Sequence, residues 1–436
     1  MLNFFFLPNW TVTKVERTAE KYVATAAYEA DRGCCPGCGT VGQLGKHGTK
    51  RTEYRDAPVH GRPSVISVDR RRYRCRACGA TSLQPLPDMD EKRRMTTRCV
   101  EYIGNQAWRR TFTQIAGDVG IDEKTVRIVA SEKIVEADAA RTIITPRRLG
   151  IDEVTVLSKP RAIFTDIEQR RVVDLMETRS KPSVARWLQR LPNRDRVQAV
   201  TIGMWAPYRD AVRAVLPTAS IVVDKFHVVR MADQAVDLVR KKAGNDLTVK
   251  NRRKLMRSRH LLLRRHRELK PIHRMDLDAW LKNVPALQDA YQAKERLYDI
   301  WESSDKATAR GRYHHWFKTL PLELDTAFRP LLTAMQNWEP EILAYWDHPI
   351  TNGGAEAANG ILKNINQTGR GYSFPVMRAR ILEMQGRDQK TFICDECLGE
   401  YPSFLRSRSH RYDGALCANC HRIHTDKWFK RHGTST

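Results

Sequence analysis

Eight of the ten cysteines form four Cys-x-x-Cys pairs, and this spacing constrains the fold more than any other feature of the 436-residue sequence. Two pairs lie near each end of the chain: Cys35/Cys38, Cys75/Cys78, Cys394/Cys397 and Cys417/Cys420. In a reducing compartment, thiolates paired in this way are typical zinc ligands rather than parts of a disulfide framework. We therefore predict two structural Zn²⁺ sites with four thiolates each. The alternative is redox activity, which usually needs one such pair on a thioredoxin-like helix.

The two ends of the chain differ in the distance between their pairs. At the C-terminus, residues 391–436 have the spacing of a compact zinc ribbon. In residues 1–90 the gap is longer, and alternating apolar runs lie between turns rich in Gly and Pro. The sequence therefore predicts a β-rich N-terminal zinc-binding module with a hairpin inserted between its two cysteine knuckles.

The charge of the chain points to a polyanionic partner. The formal net charge is +25 and the sequence pI is about 9.8, which favours nucleic acid over a membrane surface. No apolar run approaches the roughly 18 residues of a membrane span. The apolar run at residues 1–7 is too short for a signal peptide and is better interpreted as a first strand. We therefore expect a cytoplasmic, DNA-binding protein of about three ordinary domains.

Residues 91–145 are predicted to be helical and to contain a helix-turn-helix. A short apolar-faced helix is followed by Gly120, which allows a tight turn, and Asp122 can cap a second helix. Lys124, Thr125 and Arg127 then lie near the start of the recognition helix, where contacts with the DNA groove are made. The alternative is an ordinary helical hairpin.

Residues 146–230 have a mixed α/β pattern, and residues 231–348 are helical and basic. Strands are predicted near 148–157, 161–167, 171–177, 197–202 and 220–223, with helices at 183–191 and 207–216. Three strands in close succession suggest a meander, and the later alternation suggests parallel additions to one sheet. In the basic region, Arg252, Arg253 and Lys254 are candidates for phosphate contacts. The alternative is a solvated charged face.

Two acids occupy positions that suit metal-dependent phosphoryl transfer. Asp152 ends an apolar, strand-like run, and Glu356 lies where a Gly-Gly turn leads into a helix. Oxygen ligands of this kind suit Mg²⁺ or Mn²⁺ in a two-metal site that activates one phosphate oxygen and stabilises another. Each acid alone is weak evidence, because Asp152 could cap a strand and Glu356 could be an exposed helix residue.

Three motifs in combination resemble the ISL-three family of bacterial insertion-sequence transposases, and the resemblance covers nearly the whole chain. The motifs are Leu149-Gly150-Ile151-Asp152-Glu153, Val223-Asp224-Lys225-Phe226-His227-Val228-Val229 and Asn352-Gly353-Gly354-Ala355-Glu356-Ala357-Ala358-Asn359. The resemblance implies an RNase H-like catalytic domain split by an all-α insertion, with Asp152 as the first catalytic acid and Glu356 as the last. The C-terminal zinc ribbon lies outside the core of the family.

The chain departs from the family pattern at Gly203. The resemblance implies an Asp there, at the end of the strand that covers residues 197–202, as the second metal ligand. Asp224, at the tip of the next strand, is a candidate replacement, although its own motif indicates a separate duty. We therefore expect binding of DNA ends with impaired cleavage. The alternatives are a working enzyme, an inactive transposase-derived DNA-binding regulator, and a zinc-dependent regulator that uses the RNase H-like domain as a scaffold.

The predicted architecture is therefore a multidomain α+β protein with six segments. They are the zinc-binding module (1–90), the helix-turn-helix (91–145), the first catalytic part (146–230), the helical basic insertion (231–348), the last catalytic helix with Glu356 (349–390) and the C-terminal zinc ribbon (391–436). The implied partners are double-stranded DNA, as terminal inverted repeats and target, and a second copy of the chain. A bacterial, nucleoid-associated location without membrane contact is implied as well.

Overall fold

The computed structural model describes residues 10–369 and 371–386, together with four short strands beyond them. These strands are β13 (Thr391–Ile393), β14 (Glu400–Pro402), β15 (Arg406–Ser409) and β16 (Tyr412–Cys417). The predicted strand at residues 1–7 and the predicted ligands Cys394, Cys397 and Cys420 lie outside the described residues, and Cys417 is described only as the end of β16. No helix in the described part of the chain is long and apolar enough to cross a bilayer.

The chain divides into two compact units. One contains Met1–Arg141 and Ile365–Thr436, and the other contains Thr142–Asn364. The predicted segment 349–390 is therefore shared between the two units, with the boundary after Asn364. The finer division into six segments stays a prediction.

The first unit begins with a seven-stranded sheet. Its strands are β1 (Trp10–Arg17), β2 (Tyr22–Tyr28), β3 (Leu44–Val59), β4 (Arg62–Cys75), β5 (Thr81–Leu83), β6 (Met89–Asp90) and β7 (Met95–Thr96). The long strands β3 and β4 pair antiparallel and are joined at His60 and Gly61, both of which have positive φ, as a tight hairpin turn requires. This hairpin lies between the two cysteine knuckles, so the predicted insertion is confirmed.

Three helices follow the sheet: α1 (Thr97–Gln106), α2 (Phe112–Val119) and α3 (Glu123–Ala139). Gly120 ends α2 in a left-handed conformation with φ of 72°, where glycine avoids the Cβ penalty. The Asp122 side chain accepts the amide of Thr125 at 2.9 Å and so caps α3. The predicted helix–turn–helix and its cap are therefore present.

The second unit contains a five-stranded sheet, with the strand order β10-β9-β8-β11-β12. The strands are β8 (Arg148–Val156), β9 (Lys159–Asp166), β10 (Arg171–Leu175), β11 (Ala199–Ile202) and β12 (Ser220–Val223). The first three form an antiparallel meander, and β11 and β12 add in parallel beside β8. The helices that accompany the sheet are α4 (Lys181–Gln189), α5 (Ala206–Val215) and α6 (Lys225–Ala243). The predicted meander with parallel additions is confirmed.

In the sequence, a run of helices separates β12 from the segment that carries Glu356; we call these helices the helical layer. It contains α6 and then α7 (Val249–Arg257), α8 (Arg259–Leu262), α9 (Pro271–Asn283), α10 (Pro285–Trp301), α11 (Lys306–Lys318) and α12 (Asp325–Leu343). Trp316 and Trp338 are buried in this layer, as expected for a packed subdomain. Lys294 is fully buried, and its ammonium donates to the carbonyl oxygens of Leu262 at 2.5 Å and Arg264 at 3.0 Å.

Two helices follow: α13 (Gly353–Thr368) and α14 (Phe374–Gly386). The turn between them packs onto the helix-turn-helix within the first unit. The ring of Tyr372 contacts that of Phe112, with 5.1 Å between centroids, and the guanidinium of Arg380 lies 4.2 Å from the centre of the Tyr372 ring. Gly371, with φ of 83°, provides the left-handed residue in this turn.

Candidate active site and zinc centre

The register of the second sheet brings three of the predicted positions to one level. Ile202, the last residue of β11, lies opposite Ile151 of β8 and Val223 of β12. The next residues on the three strands are Asp152, Gly203 and Asp224. Because neighbouring strands are roughly 5 Å apart, the backbones of the two aspartates are about 10 Å apart, with Gly203 between them. Both aspartates are largely buried.

Asp152 lies in the middle of β8 and not at its tip, contrary to the prediction. The reason is that β8 continues to Val156 as one arm of a hairpin with β9, whereas β11 pairs with β8 only as far as Ile151. Asp152 is therefore the first residue of β8 beyond the parallel ladder. Asp224 does follow its strand directly, as predicted, and it caps α6 by accepting the amide of Phe226 at 3.3 Å.

The imidazole of His227 occupies the space above Gly203. A Cβ at position 203 would lie 2.9 Å from His227 Nε2 and 3.0 Å from Cδ2, closer than side chains tolerate. The same Nε2 lies 3.5 Å from Asp152 Oδ1. The sequence motif contained His227, but we had assigned it no role. Nothing local in the sequence marks this contact; in the structure Gly203 has no positive φ, so its backbone conformation does not account for the glycine.

Asn352 anchors the segment that carries Glu356. Its amide donates to Asp224 Oδ2 at 3.3 Å, and its side-chain oxygen accepts the hydroxyl of Thr165 at 3.0 Å. This pair lies over Gly150, where a Cβ would overlap both side-chain oxygens. Helix α13 begins at the next residue, and Glu356 lies in its first turn with an exposed side chain.

The side chains of Asp152, Asp224, Glu356 and His227 interact electrostatically. Partial loss of solvent around the exposed Glu356 side chain raises its pKa, and the carboxylates of Asp224 and Asp152 raise it further. Burial also raises the pKa of Asp224, although His227 opposes this shift. Burial lowers the pKa of His227, but Asp152 and Asp224 outweigh it and raise the value. Three acids that repel one another suit a bound cation, and their oxygens are the donors that Mg²⁺ and Mn²⁺ prefer.

The acids are more widely spaced than the thiolates described below. In the described part of the chain, only the four N-terminal cysteines have all their ligand atoms within 4.8 Å of one another. A cleft of about 420 Å³ opens beside the acids. Its lining includes Asp224, Glu356, Phe226, Arg265, Arg267 and Trp301. The helical layer therefore contributes one wall of the space beside the candidate catalytic acids.

A second surface near the acids was not predicted. Arg179 forms an ion pair with Glu153, the neighbour of Asp152, and its guanidinium lies 4.5 Å from the centre of the Trp205 ring. Trp205 is 42% exposed and follows Gly203 by two residues. An exposed aromatic ring with a cation on it is a common feature of surfaces that bind nucleic acid.

The predicted N-terminal zinc ligands converge. Two cross-pairs of sulfur atoms, Cys35 with Cys78 and Cys38 with Cys75, are 3.6 and 3.7 Å apart. The two knuckles have matching backbone bonds, because the amides of Gly39 and Gly79 each donate to the carbonyl oxygen of the first cysteine of the pair. Both glycines have positive φ.

A bound cation would stabilise the negative charge on the sulfurs of this centre. The hydroxyl and amide of Thr40 lower the pKa of Cys38 to about 6, and the amides of Cys38 and Gly37 lower that of Cys35. The amide of Ala80 lowers the pKa of Cys78, but the neighbouring sulfurs outweigh it and raise the value to about 12. Four sulfurs in this arrangement match a tetrahedral Zn²⁺ site.

The predicted DNA-contacting residues lie on two separate helices. On α3, Lys124 is exposed, Thr125 donates to Asp122, and Arg127 pairs with Glu123 and donates to the carbonyl oxygen of Gly371 at 3.0 Å. Arg127 is thus occupied by contacts within its own unit. On α7, three basic side chains are exposed: Arg252, Arg253 and Lys254.

Comparison with known proteins agrees with these features. The family model described as a transposase of the ISL3 type matches residues 149–381, which is more than half of the chain. The model described as the zinc-finger of transposase IS204/IS1001/IS1096/IS1165 matches residues 31–78. The transposase for insertion sequence element IS1001 of Bordetella parapertussis is 26% identical over 333 residues, covering 75% of this chain and 82% of the relative. The chain therefore belongs to the ISL3 family of transposases.

Proposed function

We propose that this protein is the DNA transposase of an insertion sequence, which binds terminal inverted repeats and catalyses metal-dependent cleavage and transfer of DNA strands. The observation that carries the proposal is the convergence of Asp152, Asp224 and Glu356 at one end of the second sheet. From the sequence alone, Asp224 was only a candidate replacement for an acid at position 203. In the structure it lies level with Asp152, and its carboxylate raises the pKa of Glu356.

The three carboxylates would hold one or two divalent cations, Mg²⁺ or Mn²⁺. When bound, the metal supplies an activated oxygen nucleophile and stabilises the leaving oxygen. Hydrogen bonds from backbone amides hold two of the three carboxylates. Asp224 accepts two backbone amides, those of Phe226 and Asn352, and Asp152 accepts the amide of Glu153 at 2.7 Å. Since both aspartates are held by backbone donors, they keep their positions when a phosphate enters.

The strand order supports an RNase H-like interpretation of the second unit. A three-stranded meander is extended by two parallel strands beside β8, and a helical insertion separates β12 from the helix with the last acid. In this arrangement the acids come from distant parts of the sequence and meet where the parallel strands end. The strand order and the place of the helical insertion support the RNase H-like fold that the family resemblance implies.

The zinc centre and the basic helices support DNA as the substrate. The zinc module stiffens the N-terminal unit next to the helix-turn-helix, and the net charge of +25 favours phosphate contacts throughout. We propose that α3 contributes to recognition of the DNA ends and that α7 contacts phosphates. A homodimer follows from the need to hold two ends of the element together.

The test is cleavage of the element's own ends with Mg²⁺ or Mn²⁺. We expect Asp152→Asn, Asp224→Asn and Glu356→Gln each to lower the cleavage rate at least about a hundredfold, because loss of a metal ligand costs more than loss of its supporting residues. The control is Asp210→Asn, a surface acid that pairs with Lys181 at 3.5 Å. Full cleavage by Asp224→Asn would remove that residue from the proposed site.

Gly203 favours a second candidate function, that of a catalytically inactive, sequence-specific DNA-binding regulator. A site short of one acid should lose metal affinity, so impaired cleavage stays our prediction for Mg²⁺. Tight binding of the terminal repeats without cleavage in either metal would support the regulator. Specific binding to DNA unrelated to the repeats would support a regulator that uses the second unit as a scaffold.

A further inference from the structure

We propose that the cleft beside the acids binds a single nucleobase, which is extruded from the DNA duplex and stacks on the ring of Phe226. The base belongs to a nucleotide next to the phosphate that is cleaved. The inference rests on the proposed function, because it requires a DNA strand at Asp224 and Glu356, and it adds a binding site for one unpaired base to that function.

The cleft is continuous with the candidate catalytic acids. Asp224 and Glu356 belong to its lining, together with Thr351 and Gly353 from the segment that leads to Glu356. In a nucleotide, only the sugar separates the base from the phosphate. A strand whose phosphate lies at these acids therefore has a base within reach of the cleft.

The size of the cleft suits one nucleotide and not a base-paired segment. Its volume of about 420 Å³ lies in the range of pockets that enclose one small molecule. A base that remains paired and stacked in a duplex cannot enter such a space. Enzymes that act on DNA bring single nucleotides into pockets by rotating them out of the helix, at the cost of unstacking and unpairing.

Aromatic side chains can repay this cost. Phe226 lies in the first turn of α6, directly after the largely buried Phe226 neighbours Asp224 and Lys225 in the cleft lining, and its own side chain is 47% exposed. Two partly buried rings of α10, those of Tyr298 and Trp301, line the same cleft. Stacking on an aromatic ring is favourable for every base, because every base has a π-face.

The charge of the lining favours a base over a run of phosphates. Seven charged residues line the cleft, and four of them are acids. Two of the three cations, Arg265 and Arg267, pair with Glu302. A groove that follows a DNA backbone is positively charged, and this cleft is not, although the whole chain carries a net charge of +25. The cleft therefore suits one phosphate at the metal-binding acids and an uncharged base beyond them.

The test is binding of terminal-repeat duplexes by the full chain, with Ca²⁺ in place of Mg²⁺ so that binding is measured without cleavage. One set of duplexes is intact, and each of the others has one abasic site at a nucleotide beside the boundary between the repeat and the flanking DNA. Phe226→Leu keeps an apolar side chain but removes the stacking ring. We expect it to bind the intact duplex at least about fivefold more weakly than the wild type.

An abasic site at the extruded nucleotide should abolish this difference. With no base to stack, Phe226→Leu and the wild type should bind that duplex equally, whereas abasic sites at the other positions should leave the difference unchanged. Phe226→Trp keeps a stacking ring and should behave like the wild type throughout. The control is Leu322→Ala, an exposed leucine outside the cleft lining, which should bind every duplex like the wild type.

A second measurement uses only the wild-type protein. A thymine placed opposite the extruded base loses its partner, so permanganate should oxidise it in the complex at the same position that the abasic series identifies. Thermal unfolding of Phe226→Leu checks that the variant is folded. Equal protection of every thymine from permanganate would overturn the inference.

Two further results would overturn it: a difference between Phe226→Leu and the wild type that is the same for all duplexes, or an abasic effect that appears in Trp205→Ala and not in Phe226→Leu. The latter would place the base on the surface formed by Trp205 and Arg179. If the wild type does not bind terminal repeats specifically, the proposed function is wrong and the inference is wrong with it. Specific binding without any position-dependent effect would disprove the base site alone.

Discussion

Two glycines, Gly150 and Gly203, lie beneath the acid cluster, and neither has a left-handed backbone. At each position another side chain occupies the space where a Cβ would be. At Gly150 this is the pair formed by Thr165 and Asn352, and at Gly203 it is the ring of His227. The two positions therefore report on the packing of the site rather than on chain flexibility.

Substitution of Gly150 should destabilise the second unit. A methyl group in Gly150→Ala overlaps Thr165 Oγ1 and Asn352 Oδ1, and we expect a loss of about 1–3 kcal/mol in the free energy of unfolding. The matched control is Gly311→Ala, within α11, where a Cβ meets nothing within 4 Å; it should stabilise by roughly 0.5–1 kcal/mol. Tryptophan fluorescence during urea denaturation follows this unit, because seven of the ten tryptophans lie in it. Equal midpoints for the two variants would contradict the packing argument.

Introduction of an acid at position 203 should not by itself restore Mg²⁺-dependent cleavage. In Gly203→Asp the new Cβ would lie 2.9 Å from Nε2 of His227, so the imidazole must shift to admit the acid. We expect the double variant Gly203→Asp/His227→Ala to cleave faster in Mg²⁺ than either single variant, since it provides both the carboxylate and its space. The measurement is the cleavage rate at the element's ends in each metal. A single Gly203→Asp variant that cleaves as fast as the double variant would show that the ring does not limit the site.

At this scale the sequence predicted the acids but not their supports. Asp152 and Glu356 were predicted from family motifs, and Asp224 only as a candidate replacement for an acid at position 203; these motifs are local features of the sequence. The position of the His227 ring over Gly203 depends on which strands are neighbours. The position of Asn352 depends on a contact with Thr165, 187 residues away in the chain. Neither can be derived from a local pattern.

At the scale of elements, the zinc knuckles hold the ends of the β3–β4 hairpin together. Cys75 ends β4 and lies opposite Leu44, the first residue of β3, so the metal closes the open end of a long antiparallel pair. The hairpin is the longest strand pairing in the N-terminal module. The knuckle spacing predicted this arrangement because thiolates that share one ion must be adjacent in space.

Loss of one thiolate should open this module and release its metal. With two Zn²⁺ sites predicted for the full chain, we expect Cys75→Ser to bind one Zn²⁺ per chain instead of two and to lose β-sheet signal in circular dichroism, because structural zinc contributes directly to folding. The matched control is Cys34→Ser, an exposed cysteine outside the cluster, which should retain both ions. A single Zn²⁺ in the wild-type chain would disprove the predicted C-terminal site.

The helix-turn-helix shows what the sequence could not provide at this scale. Its turn and caps are local and were predicted. The packing of Tyr372 on Phe112, and the bond from Arg127 to Gly371, join residues more than 240 positions apart. For this reason the segment after Asn364 was predicted as part of the catalytic domain, whereas in the structure it packs with the N-terminal unit.

For the whole molecule, the net charge of +25 makes salt dependence the main signature of DNA binding. Many arginines in the helical layer are already paired; Arg240 and Arg259 both bond to Asp237. The exposed group on α7 differs, because no ion pair within the described residues involves Arg252, Arg253 or Lys254. These three side chains are therefore free to bind phosphates.

Removal of the α7 charges should weaken binding to DNA of any sequence. We expect the triple variant Arg252→Ala/Arg253→Ala/Lys254→Ala to lower the slope of log K against log salt by about two to three, since each phosphate contact contributes about 0.9. The matched control is Arg329→Ala, an exposed arginine that pairs with Asp325, and it should leave the slope nearly unchanged. Preference for the terminal repeats should persist in both, because α7 contacts only the backbone. An unchanged slope in the triple variant would show that these three side chains do not contact phosphates.

The ring of His227 above Gly203 also has an evolutionary consequence. Because the two side chains compete for one volume, the fitness effect of an acid at position 203 depends on the residue at position 227, which is a case of epistasis. A lineage that exchanges the glycine for an acid must also shift the ring or pass through a crowded intermediate. In an alignment of relatives, the residue at position 203 should therefore covary with the residues that set the position of this ring. Ancestral reconstruction of the pair would then give the order in which the two changes occurred.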